Sequence, residues 1–403
     1  MIRLSGLSFG YGMRFGPIYA ISEQNGVKSS IEKHGVAIKY SLQDPIRELR
    51  EIANVTGVDF IIFPPCSPYS HLASSMWSSP VPTMALEGYQ EITHGADALA
   101  DFDEGLLWVA ESQSESEILR NRARCGCGLT DGGRESSTEA GTNTSPVVVL
   151  AEATGGMDFL QALADGADGL SVVRIEELLG NRNCSTPEST SLIEIVKTRP
   201  QFLPLLVRFY DHDSDVRHTD GAIPAPCWYL GYRGIRVLEI DDTAFDSFCT
   251  ALASLNIDSI SVILPMVTSL AEVRRVRNRL GPKWRIGVTV ETPAAALRIR
   301  EVLEVSSYVQ IGLNDLTQYT MAWDRDIPNV ERLPPDRIVE PVADLIALVA
   351  NCCSQSGVEY TLGLDLRPTR RLASQIRSLG VNSISCPPPL VGPWKKALGR
   401  DTG

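Results

Sequence analysis

The chain has 403 residues, a net charge of −12 and a hydrophobic fraction of 43%, too long for one ordinary core and suited to a barrel of ~250 residues plus a smaller domain. The acidic balance leaves no basic stripe to neutralise phosphates, which excludes nucleic acid as a partner. No run approaches the ~18 apolar residues of a membrane span, and no basic region followed by an apolar one opens the chain, so the expectation is a cytoplasmic protein without membrane contact. Nine cysteines, odd in number and without CxxC pairing, point to reduced thiols rather than a disulfide frame or a zinc site.

In chain order, residues 1–120 read as the first domain. Glycines punctuate short β-like pieces in SGLSFGYGMRFGPIYAI, an amphipathic helix is expected at Asp44–Val55 and a strand at Val58–Phe63, and His71 follows. Residues 121–146, NRARCGCGLTDGGRESSTEAGTNTSP, are rich in Gly, Ser and Thr with no apolar period, the composition of a flexible linker. From Val147 the chain alternates strands and helices. Candidate strands are Val147–Glu152, Gly169–Val173, Leu203–Arg208, Ser259–Leu264, Ile286–Glu291, Tyr308–Gly312, Glu359–Gly363 and Val381–Ser385. Eight apolar strands separated by helical periodicity, as in DFLQALADG and SLAEVRRVRNRL, predict a (β/α)8 TIM barrel over 147–403.

Such a barrel presents side chains at the carboxyl-terminal ends of its strands. Glu291 and Asp315 each follow an apolar run and precede a helix start, marked by Pro293 in the first case. Two hard carboxylates there, with Asn314 beside one, suit Mg²⁺, which takes one or two protein carboxylates and fills its other positions with substrate oxygens and water. The alternative is two helix-capping acids. Because rim residues serve chemistry rather than the core, loss of either carboxylate is expected to leave the fold standing. Arg174, Arg208, Arg233 and Arg236 lie at or beyond strand ends in SVVRIEE, LLVRFYDHDSD and GYRGIR. Guanidinium forks bind oxyanions bidentately and can stabilise charge moving onto a leaving oxygen; pairing with neighbours such as Glu176 and Asp211 is the other use of a rim arginine.

VETPAAA and IGLNDLTQYTMAWDR resemble the barrel domain of the phosphoenolpyruvate-utilising enzymes: enzyme I of the sugar phosphotransferase system, phosphoenolpyruvate synthase and pyruvate phosphate dikinase. CSPYSHLASSMWSSPVPTMAL and GLLWVAESQSESEI resemble the swivelling phosphohistidine domain of the same family. The resemblance implies a phosphohistidine-like α/β domain at 1–120 with His71 as phosphocarrier. It also implies Arg174, Arg208, Arg233, Asn314 and Arg325 as substrate ligands, Glu291 and Asp315 as Mg²⁺ ligands, and a homodimer built through the barrel.

The chain also departs from that family. Cys66, Ser67, Pro68 and Tyr69 replace a paired-glycine loop before the histidine, and Pro68 has no amide hydrogen to offer a phosphate. Trp77 stands for an arginine and Val216 for a lysine. The cysteine that protonates the enolate in the family is replaced by Leu362 or Leu364 in VEYTLGLDLRP, leaving Cys386 of SISCPPPL and Asp365 as candidate acids. The expected function is a Mg²⁺-dependent phosphotransferase passing a phosphoryl group from phosphoenolpyruvate through His71 to an unidentified acceptor. The alternatives are a barrel enzyme making or breaking C–C or P–C bonds of an enolpyruvate-type acid without His71, and a phosphoenolpyruvate-binding sensor without catalysis.

Overall fold

The computed structural model describes residues 2–9, 13–21, 35–39, 58–63, 76, 81–86, 92, 95–102, 106–125, 146–153, 163, 166–174, 205–209, 211, 230–231, 233–239, 242–254, 260–324 and 336–400. The expectations for the helix at 44–55, for 66–69, His71, Trp77, Val216 and Arg325, and for 126–145 of the linker lie outside those residues, as does the side chain of Arg174. The chain packs as two compact units, one taking residues 1–144 and 325–332 and the other 145–324 and 333–403.

The first unit is a closed barrel of mixed strands. Its members are β1 (Ile2–Phe9), β2 (Met13–Ile21), β3 (Gly35–Lys39), β4 (Val58–Phe63), β5 (Thr83–Leu86), β6 (Asp97–Asp101) and β7 (Leu106–Val109), in the order β1-β5-β4-β3-β2-β6-β7. The run β2 to β5 is parallel, and the pairs involving β1, β6 or β7 are antiparallel. Alternate residues of β4, β5, β6 and β7 fill the interior: Phe60 and Ile62, Met84 and Leu86, Ala98 and Ala100, Leu107 and Val109. Phe60 meets Phe102 edge to face at 5.8 Å. Helix α1 (Gln113–Cys125) covers the outside with Leu119 against Leu99 and Trp108, and runs to the fifth residue of the segment read as linker.

The second unit is an eight-stranded, wholly parallel closed barrel. Its strands are β8 (Val148–Ala153), β9 (Gly169–Arg174), β10 (Leu205–Arg208), β11 (Ile260–Leu264), β12 (Arg285–Val290), β13 (Tyr308–Gly312), β14 (Glu359–Gly363) and β15 (Ser383–Cys386), neighbours in sequence pairing throughout and β15 closing on β8. This is the expected (β/α)8 barrel. Val172, Leu206, Ile263 and Tyr308 come from four different strands and touch one another, so they fill its interior. Tyr308 donates to Thr361 Oγ1 at 2.7 Å, and Thr361 and Ser383 lie 3.1 Å apart, a polar layer across the same interior.

Local chemistry sets the helices around it: α2 (Asp242–Ser254), α3 (Leu270–Leu280), α4 (Pro293–Leu297), α5 (Ile299–Leu303), α6 (Leu313–Met321), α7 (Glu340–Ser356), α8 (Arg370–Ser378) and α9 (Val391–Ala397). Helix α3 starts where Ser269 and Glu272 form a reciprocal capping box, and buries Val273, Val276 and Leu280. Thr292 caps α4 ahead of Pro293, and Gly357 at φ +66° stops α7. The helix expected after Glu152 lies outside the described residues apart from Leu163, which is helical. No described helix is long and apolar enough to cross a membrane.

The C-terminal segment fastens the barrel seam. Asp168, just ahead of β9, accepts from the Val149 N–H at 2.8 Å and pairs with Lys395 and Arg400. Burial works to raise its carboxyl, but the bonds from Arg400, Val149 and Lys395 outweigh it and hold the group below the ordinary aspartate range.

Candidate active site

The carboxyl-terminal rim of the second barrel gathers charged groups from five of its strands: Glu152 and Arg208 near the ends of β8 and β10, and Glu291, Asp315 and Asp365 just beyond β12, β13 and β14. Glu291 follows β12 and is 3% exposed; Asp315 sits in the first turn of α6, three residues past β13, and is 6% exposed. Register explains why the two acids meet. Thr289 pairs with Gln310 on the neighbouring strand, so the residues after each strand rise on the same side of the barrel mouth. A Cβ on Gly312 would stand 2.9 Å from Glu291 Oε2 and 3.0 Å from its Cβ, so the absent side chain at 312 is what makes room for the carboxylate.

The opposite oxygen of Glu291 is fixed by backbone: the Met266 N–H donates to Oε1 at 2.6 Å. Met266 has φ +59°, a left-handed conformation that a non-glycine residue adopts at a cost. Gly234, at φ +58°, lies directly beneath, where a Cβ would come within 2.8 Å of Met266 Cβ. The loop after β11 is gripped further along by the Thr292 hydroxyl, which donates to the Val267 carbonyl at 2.7 Å.

Arg233 stands between two acids. Its Nε and Nη2 donate to Asp211 at 3.1 and 3.0 Å, its Nη1 and Nη2 to Asp315 at 2.7 and 3.0 Å, and Nη1 to the Tyr319 hydroxyl at 3.1 Å. All five N–H groups of a side chain 1% exposed are therefore engaged within the protein. Arg233, expected as a hand for substrate, is here the clamp that holds Asp211 and Asp315. Arg208, the last residue of β10, lies 3.9 Å from Asp211 and is paired in register with Arg174 of β9, so the two residues are neighbours at one level of the rim.

Negative charge dominates around Glu291. Burial, then the charges of Asp315 and Asp211, push its carboxyl up to about 8, against the pull of Arg233 and Arg208. Two buried carboxylates of like charge side by side at a barrel mouth could supply oxygen ligands to a hard divalent cation. Among the described residues no group of three His, Cys, Asp or Glu side chains is placed to hold a metal, so most positions around such an ion would fall to substrate and water.

The other side of the rim is polar as well. Glu152, at the end of β8, accepts from the Ser385 hydroxyl at 3.2 Å, and Asn314 Nδ2 donates to Asp365 Oδ2 at 3.0 Å. Asn314 keeps its amide oxygen buried and without a partner among the described residues. The pleat of β14 settles which side chains enter. Thr361 bonds into the interior and Gly363 lies against Glu152 and Gln310, so the fully buried Leu362 points to the outer layer, and Asp365 is the acid that reaches the rim. Cys386 is fully buried; burial first, then Glu152 and Asp365, push its thiol well above the usual range. It is a packed thiol rather than a poised acid.

Sequence reasoning brought Glu291, Asp315, Asn314 and Arg208 to this rim, and the barrel assembles all four. It passed over Glu152, although VVVLAE repeats the pattern of an acid closing an apolar run, and over Tyr319. The Met266 contact carries no side-chain signal at all.

The family model described as PEP-utilising enzyme, PEP-binding domain matches residues 134–401. A phosphoenolpyruvate-protein phosphotransferase of Streptomyces coelicolor is 29% identical over 332 residues, covering 79% of this chain and 59% of that protein. A probable phosphoenolpyruvate synthase of Archaeoglobus fulgidus is 30% identical over 211 residues, covering 49% and 28%. A phosphoenolpyruvate synthase of Pyrococcus furiosus is 29% identical over 275 residues, covering 60% and 33%. The chain thus spans between 28% and 59% of the length of these relatives. With two thirds of its residues matching the PEP-binding domain, and that domain folded as the barrel whose rim carries these acids and arginines, the chain belongs to the PEP-utilising enzyme family.

Proposed function

We propose that the second barrel binds phosphoenolpyruvate at its carboxyl-terminal rim, with Mg²⁺ held by Glu291 and Asp315, and that His71 takes the phosphoryl group and passes it to a second acceptor. The observation that carries this reading is the buried Glu291–Asp315 pair beside Arg208, in a barrel that matches the PEP-binding domain. Bound Mg²⁺ would neutralise protein and substrate anions that otherwise repel. Arg208, with Arg174 beside it and Arg325, would grip phosphate and carboxylate. Asn314 would orient the substrate with the hydrogen-bonding capacity it has to spare. Transfer breaks the phosphorus–oxygen bond of the enol ester and forms a phosphorus–nitrogen bond to the His71 imidazole, while the electron pair stays on the enolate oxygen. A homodimer built through the barrel belongs to the same reading.

The experiment is incubation with radiolabelled phosphoenolpyruvate and Mg²⁺. Acid-labile label on the protein, absent from His71→Ala, is the expected result. Label that survives that change sinks the histidine relay.

A second reading has an observation of its own. An enolate left by phosphoryl transfer needs a proton at its methylene carbon to become pyruvate, yet Leu362 points away from the rim, Cys386 is packed beneath it, and Asp365, the acid that does reach the rim, accepts a hydrogen bond from Asn314. A rim where no described thiol stands ready to protonate an enolate suits its capture by another electrophile, in C–C or P–C bond chemistry. Consumption of phosphoenolpyruvate that is unchanged in His71→Ala, without label on the chain, is the outcome that favours it.

A further inference from the structure

We propose that Arg236 is the positioning residue for both candidate metal ligands, an inference that rests on the reading of Glu291 and Asp315 given above. Arg236 belongs to the 3-10 turn Gly234–Glu239, and its hydrogen bonds described here reach neither carboxylate. It holds the two pieces of backbone from which each is gripped.

The first connection runs to Glu291. Arg236 Nη2 donates to the Met266 carbonyl at 3.1 Å, and the N–H of the same residue donates to Glu291 Oε1 at 2.6 Å. Met266 is left-handed, so the direction of its N–H depends on restraints from its surroundings. Arg236 supplies one on the carbonyl side, and the Ile235 N–H supplies another by donating to the Pro265 carbonyl at 3.4 Å. The second connection runs to Asp315. Arg236 Nη1 donates to the Gly231 carbonyl at 2.9 Å, and that same oxygen accepts the backbone N–H of Arg233 at 3.0 Å. Arg233 in turn grips both oxygens of Asp315.

The third arm anchors the guanidinium. Arg236 Nε donates to Glu272 Oε1 at 3.2 Å, while the other Glu272 oxygen accepts from the Thr268 N–H and hydroxyl and from the Ser269 N–H. Burial works to raise the Glu272 carboxyl, but those bonds and Arg236 outweigh it and keep it below the ordinary range, as an anchor that stays charged should be. Three acceptors in three directions need the planar fork of arginine; one ammonium cannot reproduce them. The Arg236 side chain is 21% exposed, so it can be changed without hollowing the core.

The test is calorimetric titration of the full chain with Mg²⁺, with and without phosphoenolpyruvate, in the parent, Arg236→Met, Arg236→Lys and Asp168→Asn. Asp168 ties the barrel seam ahead of β9, so its variant is a control for lost stability alone. Arg236→Met is expected to bind Mg²⁺ about 10–100-fold more weakly, the range for losing an outer partner of a metal ligand. Arg236→Lys should recover part of that loss, and Asp168→Asn should bind like the parent even though it melts lower. Parent-like affinity in Arg236→Met overturns the proposal, as does an equal loss in Asp168→Asn. Should Arg236→Met not fold, Arg236→Lys decides alone, with parent-like affinity overturning the role. A parent that binds no Mg²⁺ under either condition overturns the metal reading and this inference together, a result distinct from a parent that binds beside a variant that binds equally.

Discussion

Glu291 and Asp315 follow neighbouring strands, yet they depend on different partners. Glu291 is held by one backbone N–H among like charges, whereas Asp315 is matched by both arms of the buried Arg233. Rim position alone predicts that losing either carboxylate spares the fold; Arg233 makes Asp315 the exception. Glu291→Gln should melt within a few degrees of the parent, while Asp315→Asn leaves a buried guanidinium short of charge and should cost about 3 kcal/mol. Both should lose the Mg²⁺-dependent stabilisation by phosphoenolpyruvate, read in thermal shifts with ligand and metal added separately and together. The full combined shift in both variants would remove the metal assignment. The pH dependence follows from the same residue. A carboxyl raised in the folded state to about 8 from an ordinary 4.5 stabilises fully below the lower value and loses that contribution as pH rises through the upper one. In the absence of metal, the melting temperature of the parent relative to Glu291→Gln should therefore fall between those two values, and added Mg²⁺ should restore it at the alkaline end.

At the level of elements, β13 ends on a glycine because the neighbouring element needs the space. Gly312→Ala would drive a methyl group into Glu291, so it should weaken Mg²⁺ binding about as much as losing the carboxylate while leaving strand pairing intact. Calorimetry against circular dichroism checks the two halves of that statement. Asp168, just ahead of β9, fastens β8 to the C-terminal segment, and Asp168→Asn should speed hydrogen exchange in β8 and β9 more than in β11 or β12. Elements of this kind were legible in sequence where the signal is local. The apolar runs of β11 and β12, Pro293 and the Ser269–Glu272 box all announce themselves within a few residues. The commitment of Arg233 to Asp315 spans 82 positions and was not legible. Nor was the side of β14 from which Leu362 points, because a continuous apolar strand hides its parity until cross-strand partners fix it. In the first barrel, β5 lies between β1 and β4, an order that no local pattern announces.

For the whole molecule, each closed sheet completes its own core, and no strand is shared between the units. A fragment of residues 145–403 should therefore fold and bind phosphoenolpyruvate with Mg²⁺, while failing to take up label from it; a labelled fragment would place the acceptor inside the barrel unit and displace His71 from the relay. Closure has one more consequence. Each of the eight strands of the second barrel is paired on both sides, so among the described residues that sheet offers no open edge for another polypeptide to extend. Recognition by adding a strand, a common way of capturing an extended peptide, is closed to that sheet. On the proposed reading, a macromolecular acceptor docking on the second barrel would be recognised through side chains, helices and connecting segments, its specificity written in surface charge and shape rather than in backbone pairing.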